Sequence, residues 1–280
     1  MLAQQQLKLA LAYEEREARL EARLLLSHAL QQDYAWLIAH ESDALEGNIH
    51  AVFEASVNRR MDGEPIAYIL GHREFYGLDL RVTPATLIPR PDTEVLVEAA
   101  LANIPLDQSI RVLDLGTGTG AIALAIAKHR PKAIVTAVDA SQEALAIAKE
   151  NADRLHISNV RFVFSDWFAA LGDEDNSKKY GVIVSNPPYI ANDDSHLTQG
   201  DLRFEPISAL ASGNDGLDDI RRIIADARQY LSTQGYLLLE HGYDQAEAVA
   251  ALMSEAGYKA IQHHLDLAGI KRVTQGIWPG

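Results

Sequence analysis

No cysteine occurs among the 280 residues. That absence removes disulfides, thiolate nucleophiles and thiolate metal sites, and leaves core packing to hold the fold. A reducing cytoplasm suits such a chain. Basic residues are also scarce: 25 Lys and Arg stand against 39 Asp and Glu, a formal net charge of −14. Tight non-specific binding to a phosphate backbone needs a basic stripe that releases counterions, so the charge argues against that class of function, although not against a local basic patch. No apolar run approaches the ~20 residues that span a bilayer. The stretch Leu7 to Ala12 is short, contains Lys8 and is followed by Glu14 and Glu15, unlike a signal peptide. Internal repeats and low-complexity tracts are missing as well. What is there is the composition of a soluble globular protein, with 48% hydrophobic residues over a length suited to about two domains.

Up to about Met61 the pattern is helical, clearest where Ile49, Val52, Phe53, Val57 and Met61 recur on one face. Asp62-Gly63-Glu64-Pro65 should end that helix. From Phe75 to Val82 short alternating strands flank Gly77, and Pro84, Pro89 and Pro91 punctuate the approach to the next unit, so this stretch reads as a hairpin linker. From Asp92 onward helical patterns alternate with apolar runs at Ile110 to Leu115, Ile134 to Val138, Val160 to Phe164, Val182 to Val184 and Tyr236 to Leu239. Continuous apolar runs mark strands covered on both faces, hence a doubly wound α/β sheet. Leu217, Ile220, Ile224, Ala227 and Leu231 form an amphipathic stripe on one intervening helix. Ala260 to Leu265 and Arg272 to Trp278 are expected to close one edge as an antiparallel hairpin.

The run Val112 to Gly120 leaves a predicted strand and opens a helix near Ala121. Gly116, Gly118 and Gly120 suit a sharp turn and a close approach of backbone amides to a ligand. The third glycine falls one place earlier than a dinucleotide fingerprint requires. Asp139 ends the next strand, where a carboxylate can accept from both hydroxyls of a ribose; its plainer reading is a cap for the following helix. Ser165-Asp166-Trp167 follows the third strand and puts a carboxylate and a flat aromatic where an adenine would lie, unless Trp167 simply fills a core gap. Loop, carboxylate and aromatic at successive strand ends point together to a nucleoside ligand.

Ser185-Asn186-Pro187-Pro188-Tyr189 ends the fourth strand. An amide nitrogen is a poor nucleophile, because its lone pair is delocalised, and must be held and polarised. The Asn186 side-chain oxygen and the Pro187 carbonyl can each accept one N–H of a planar amide or amine. Two prolines stiffen the backbone and add no competing N–H, while Tyr189 can stack on a flat acceptor. Alternatively the segment is a Pro-Pro turn with Tyr189 as surface filler. The exocyclic amino group of adenine or cytosine presents the same planar donor, so the tetrapeptide fixes the atom type and leaves the polymer open.

These features together resemble the release factor glutamine methyltransferase family over nearly the whole chain. Beyond the glycine loop, the resemblance rests on Arg73-Glu74-Phe75, Thr86 to Glu94, Asn186 to Tyr189, Arg203-Phe204-Glu205-Pro206 and Leu239-Glu240-His241-Gly242. It implies a mostly parallel, seven-stranded methyltransferase sheet with an antiparallel edge hairpin and a small all-helical N-terminal domain. The expected division is a docking domain at 1–70, a hairpin linker at 71–91 and an S-adenosyl-L-methionine-dependent methyltransferase domain at 92–280. It further implies that Gly116, Thr117, Gly118, Thr119, Gly120, Asp139, Trp167 and Asn186 hold the cofactor, with Asp166 added from its position beside Trp167. Asn186, Pro187, Pro188 and Tyr189 would hold the glutamine of a Gly-Gly-Gln tip, and Asn186, Pro187 and Tyr189 would be the catalytic members.

The implied partner is a class I peptide-chain release factor, with no direct nucleic-acid or membrane partner and a monomeric, cytoplasmic enzyme. Pro89 to Glu94 reads both as a helix start and, from the resemblance, as a lid over the methionine moiety. Glu240 reads either as a cofactor-side or as an edge-strand residue and is left unassigned. His263 and His264 are neighbours on a strand and point to opposite faces, so no metal site is expected. Competing readings are a glutamine methyltransferase acting on a ribosomal protein, a nucleic-acid amino-methyltransferase, and a non-enzymatic nucleoside-binding protein.

Overall fold

The structure, a computed structural model, describes residues 2–172 and 179–280. The chain divides into two compact units, one comprising Met1–His72 with Thr198–Phe204, the other Arg73–Leu197 with Glu205–Gly280.

The first unit carries helices α1 (Leu2–Leu11), α2 (Glu15–Leu30), α3 (Tyr34–Ala39), α4 (Gly47–Met61) and α5 (Ile66–Leu70). Their apolar faces meet around Leu7, Ala18, Leu25, Val57 and Ile69. A reciprocal capping box between Glu14 and Glu17 satisfies the free N–H groups that open α2. The stripe read on α4 is only partly buried: Val57 is in the core with Phe53 and Met61 against it, whereas Val52 is 48% exposed. Inward instead is Arg60, which donates to Glu21 at 2.8 Å and to Asp201 at 3.2 Å. Arg203 donates to the Asp62 carbonyl at 2.5 Å, so the 198–204 segment is tied to this unit by two arginines. Asp62 to Pro65 stops α4 as expected but leads into α5.

Strands β1 (His72–Phe75) and β2 (Leu78–Arg81) form the two-stranded hairpin. It begins earlier than the alternation suggested. Tyr76 and Gly77 both take positive φ, 50° and 73°, the turn geometry that matches strand twist, and Glu74 accepts from the Gly77 N–H at 2.7 Å. The hairpin read as a linker packs into the second unit: Phe75, Leu78 and Leu80 share its core cluster with Leu96, Val97 and Leu124.

In the second unit α6 (Glu94–Ala102) leads into β3 (Arg111–Leu115), α7 (Ala121–His129), β4 (Ile134–Asp139), α8 (Gln142–Arg154), β5 (Val160–Phe164) and β6 (Tyr180–Ser185). Then come α9 (Asp218–Ala227), β7 (Leu231–Glu240), α10 (Ala246–Glu255), β8 (Lys259–Leu265) and β9 (Lys271–Trp278). The sheet is seven-stranded in the order β5-β4-β3-β6-β7-β9-β8. Neighbours are parallel from β5 through β7, and β9 runs antiparallel to both β7 and β8. Core clusters cover both faces of the sheet, which is why its strands read as unbroken apolar runs. One expectation needs correction: Leu231 is buried but opens β7, since its spacing from Ala227 fits a helix and a strand start equally. Chain order reverses between β3 and β6, and the crevice above such a switch point is where open α/β sheets bind ligands.

Candidate active site

Four strand ends meet at that switch point. They line a cavity of about 500 Å³ whose wall includes Gly116, Gly118, Asp139, Ser165, Asp166, Trp167, Asn186 and Pro188. Residues 84–87 and Pro206, Ser208 and Ala209 complete it from the other side.

The glycine loop leaves β3. Gly116 has φ +71°, and a side chain there would come within 3.3 Å of the Trp167 ring. Gly120 has φ +83°, and its missing Cβ would lie 3.1 Å from Leu124 and 3.2 Å from Ala148, so the last glycine serves helix packing. Nothing lies within 4 Å of a Cβ built on Gly118; there the backbone faces open cavity. Thr117 and Thr119 are buried and turn away: the Thr117 hydroxyl donates to Asp114 at 2.6 Å, and the Thr119 carbonyl accepts from Asn151 at 3.0 Å. Asp114 is 0% exposed, and burial pushes its pKa up to about 7 against the pull of the Thr117 hydroxyl.

Asp139 does not cap α8, a role taken by Ser141, whose side chain accepts from the Ala144 N–H. Instead Asp139 spans loop and helix, accepting from the Gly118 N–H and the Ser141 N–H, each at 2.8 Å. Burial raises its pKa, with those backbone donors opposing. A carboxylate has about four lone-pair positions, so two such bonds leave acceptor capacity on the cavity side. Trp167 is held in a left-handed conformation, φ 48°, by Ser165, whose hydroxyl donates to the Trp167 carbonyl at 2.8 Å and accepts from the Ala170 N–H at 3.0 Å. Its indole N–H donates to Asp219 at 3.0 Å, and Asp219 in turn accepts from Ser212 at 2.7 Å. Asp166 is exposed and its carboxylate accepts from Arg222 at 2.9 and 3.0 Å.

Of the tetrapeptide after β6, Asn186 and Pro188 reach the cavity wall, whereas Pro187 and Tyr189 are not part of it. Asn186 Nδ2 donates to Thr93 Oγ1 at 3.2 Å. Tyr189 packs against the sheet core, donates to Glu240 at 3.4 Å, and has its carbonyl held by Gln245 at 3.0 Å. Burial raises the Tyr189 pKa, and the neighbouring Glu240 adds to the rise. Glu240 itself, at the end of β7, is pushed up to about 7 by burial, which outweighs hydrogen bonds from Thr93 and Tyr189.

Pro91–Thr93 forms a 3-10 turn before α6, the helix start that prolines and early acids foretell. Glu205 ties the preceding segment down, accepting from the Ile88 N–H at 3.0 Å and pairing with Arg90. Sequence reading missed Asp219 and Gln245, which look like ordinary helix-start residues, and gave Thr93 no role beyond its place in the Pro89 to Glu94 segment.

The cavity fits a nucleoside ligand on the structure's own terms: an open backbone at Gly118, spare acceptor capacity on Asp139, and an indole wall fixed in place. Comparison with known proteins runs the same way. Residues 1–71 match the family described as "PrmC N-terminal domain" and residues 91–202 the "Methyltransferase small domain". The chain is 50% identical over 258 residues to the release factor glutamine methyltransferase of Bordetella pertussis, covering 92% of this chain and 94% of that one. It is 47% identical over 258 residues to the Escherichia coli enzyme of that name, covering 92% and 91%. Among solved structures, a methyltransferase from Pyrococcus furiosus shares the fold with a TM-score of 0.55 at 21% identity, covering 80% of this chain and 97% of that one. Identity at this level along both units shows that the chain belongs to the release factor glutamine methyltransferase family.

Proposed function

We propose that the chain transfers the methyl group of S-adenosyl-L-methionine to the side-chain amide nitrogen, N5, of the glutamine in the Gly-Gly-Gln motif of class I peptide-chain release factors. One observation carries the reading: Asn186 and Pro188 wall the same cavity as Gly116, Gly118, Asp139 and Trp167. Acceptor-holding and nucleoside-holding residues thus converge on one space. The relatives' printed name supplies the substrate class.

S-adenosyl-L-methionine, when bound, supplies an electrophilic methyl on a positively charged sulfur. The Gly116 to Gly120 loop gives it backbone contact, with Thr117, Thr119 and Gly120 shaping the loop from beneath. Asp139 accepts from the ribose hydroxyls, Trp167 offers a flat wall to the adenine, and Asp166 lies at that end of the cavity with its charge balanced by Arg222. Asn186 borders both ligands. Its side-chain oxygen and the Pro187 carbonyl accept the two N–H groups of the glutamine amide, a positioning that turns an encounter into an intramolecular step. Pro188 stiffens that carbonyl, and Tyr189 anchors the segment through Glu240. No side chain needs to remove a proton beforehand, because the nitrogen becomes acidic only once methylated.

Residues 1–70 form the docking domain in this reading, 71–91 connect it, and 92–280 carry the chemistry. The enzyme works as a cytoplasmic monomer without direct nucleic-acid contact, in keeping with its net charge of −14. Labelled methyl transfer to a purified class I release factor tests the proposal, beside a copy with the Gly-Gly-Gln glutamine replaced and beside duplex DNA. Label on the intact factor alone is the expected result; label on DNA would overturn it.

A further inference from the structure

The acceptor-holding atoms sit on a stretch of chain that cannot hold itself. Pro187 and Pro188 have no N–H to donate, so the direction of the Pro187 carbonyl depends on how the two ends of the stretch are fastened. The near end is the sheet. Ser185 closes β6 in register with Leu115 and Leu239, and its hydroxyl donates to the Leu115 carbonyl at 2.8 Å. The far end is Tyr189. Its hydroxyl donates to Glu240 at 3.4 Å and its N–H to the Leu210 carbonyl at 3.2 Å, both longer than is usual for such bonds.

The Tyr189 carbonyl is held more closely, by Gln245, the residue that opens α10. Gln245 Nε2 donates to the Tyr189 carbonyl at 3.0 Å and to the Asp215 carbonyl at 3.3 Å, and Gln245 Oε1 accepts from the Gly242 N–H at 2.8 Å. One side-chain amide thus joins the loops after β6, before α9 and after β7. Its partners fix its orientation, because a flipped amide would set its oxygen against two carbonyls and its NH₂ against an N–H. Gly216 packs against the same carbonyl with φ +74°; a Cβ there would come within 2.2 Å of the Tyr189 oxygen and 2.8 Å of Gln245 Nε2. Glycine is what lets the loops close on that oxygen.

We infer that Gln245 is a positioning residue for the acceptor: it fastens the far end of the proline stretch and so sets the direction of the Pro187 carbonyl that accepts from the glutamine nitrogen. This role rests on the proposed function and belongs to the acceptor end alone, since Gln245 is not among the residues that wall the nucleoside cavity. Loss of its two donors leaves the glycine loop, Asp139 and Trp167 with all their partners. The Pro187 carbonyl, in contrast, loses its firmest tie on one side, and the glutamine nitrogen is no longer held in line with the methyl group.

The test uses the full chain with Gln245→Glu, Gln245→Ala and Gly216→Ala. Gln245→Glu keeps the shape and the oxygen that Gly242 requires but has no N–H for the two carbonyls. A packing role would leave that variant near wild type. The positioning role predicts kcat lowered roughly tenfold, with KM for the release factor within about threefold and affinity for S-adenosylhomocysteine within about twofold. Gln245→Ala should match it, and Gly216→Ala, which crowds the same oxygen with Gln245 in place, should show the same split. A readout independent of turnover is hydrogen exchange, followed by mass spectrometry, over residues 189–192, where Tyr189 and Ile190 donate to Leu210 and Asn192 donates to Gly213. Exchange there should quicken about tenfold or more in Gln245→Glu, with the glycine loop unchanged. Unchanged exchange over 189–192, faster exchange spread over the whole chain, or wild-type kcat in Gln245→Glu overturns the inference. Faster exchange confined to 189–192, in a protein whose wild type labels no release factor, sustains the anchor and removes only the proposed substrate.

Discussion

Beneath the glycine loop and beneath the Asn186 to Tyr189 segment lie two buried carboxylates, Asp114 and Glu240, and the chain secures them in opposite ways. Asp114 is held by Thr117, three residues along the same loop. Glu240 is held by Tyr189, brought in from a distant part of the sequence. Both have pKa values pushed up to about 7 by burial. The glycine loop thus carries its own partner for its buried carboxylate, whereas the acceptor end depends on the assembled sheet. A site divided in this way should lose its two functions separately.

The largest separation is expected from Asn186→Ala. Transfer should fall about 10²-fold or more while cofactor affinity stays within about tenfold, since an acceptor orienting the reacting nitrogen is removed. Single-turnover rates beside calorimetric binding would show it, and equal rates for variant and wild type would take Asn186 out of the mechanism. Asp139→Ala should do the reverse. Cofactor affinity is expected to drop roughly tenfold or more, because charge-assisted hydrogen bonds are lost along with the brace between Gly118 and Ser141. Unchanged affinity in calorimetry would contradict the ribose assignment.

The same contrast separates the legible from the illegible parts of the site. The glycine loop, Asp139 and Asn186 to Tyr189 could be read because each is a short run at the end of an apolar strand, and the structure brings those strand ends together. The strands themselves and the edge hairpin were visible from unbroken or alternating apolar runs. What could not be read joins residues far apart: Glu205 to Ile88 and Arg90, Trp167 to Asp219, Glu240 to Tyr189. The resemblance includes Glu205 and Glu240 in its stretches without giving them a partner, and only the fold supplies one. Periodicity misled where one spacing served two structures, as at Leu231, and where a stripe was apolar without being covered, as at Val52.

Asp114 gives a comparison of stability rather than turnover. Its folded-state pKa is raised from 3.8 to about 7, so across that window the folded chain holds a proton that the unfolded chain has released. Stability should therefore decline as pH rises through the window. Asp114→Asn should make the decline shallower, with the part due to Glu240 remaining; denaturant unfolding at about pH 5 and about pH 8 would measure it. A slope equal to wild type would mean that Asp114 does not titrate across that window. The smallest effect is expected from Asp219→Asn, which weakens the bond that fixes the Trp167 indole and should reduce cofactor affinity about threefold with kcat at saturation unchanged. Fluorescence titration would detect it, and a loss of kcat instead would place Asp219 at the acceptor end.

The most direct test of the central claim is a crystal structure with S-adenosylhomocysteine and a peptide containing Gly-Gly-Gln bound together. The account predicts the nucleoside between Gly118, Asp139 and Trp167, and the glutamine nitrogen donating to Asn186 Oδ1 and to the Pro187 carbonyl. A glutamine amide bound away from Asn186, or facing its Nδ2, would contradict it.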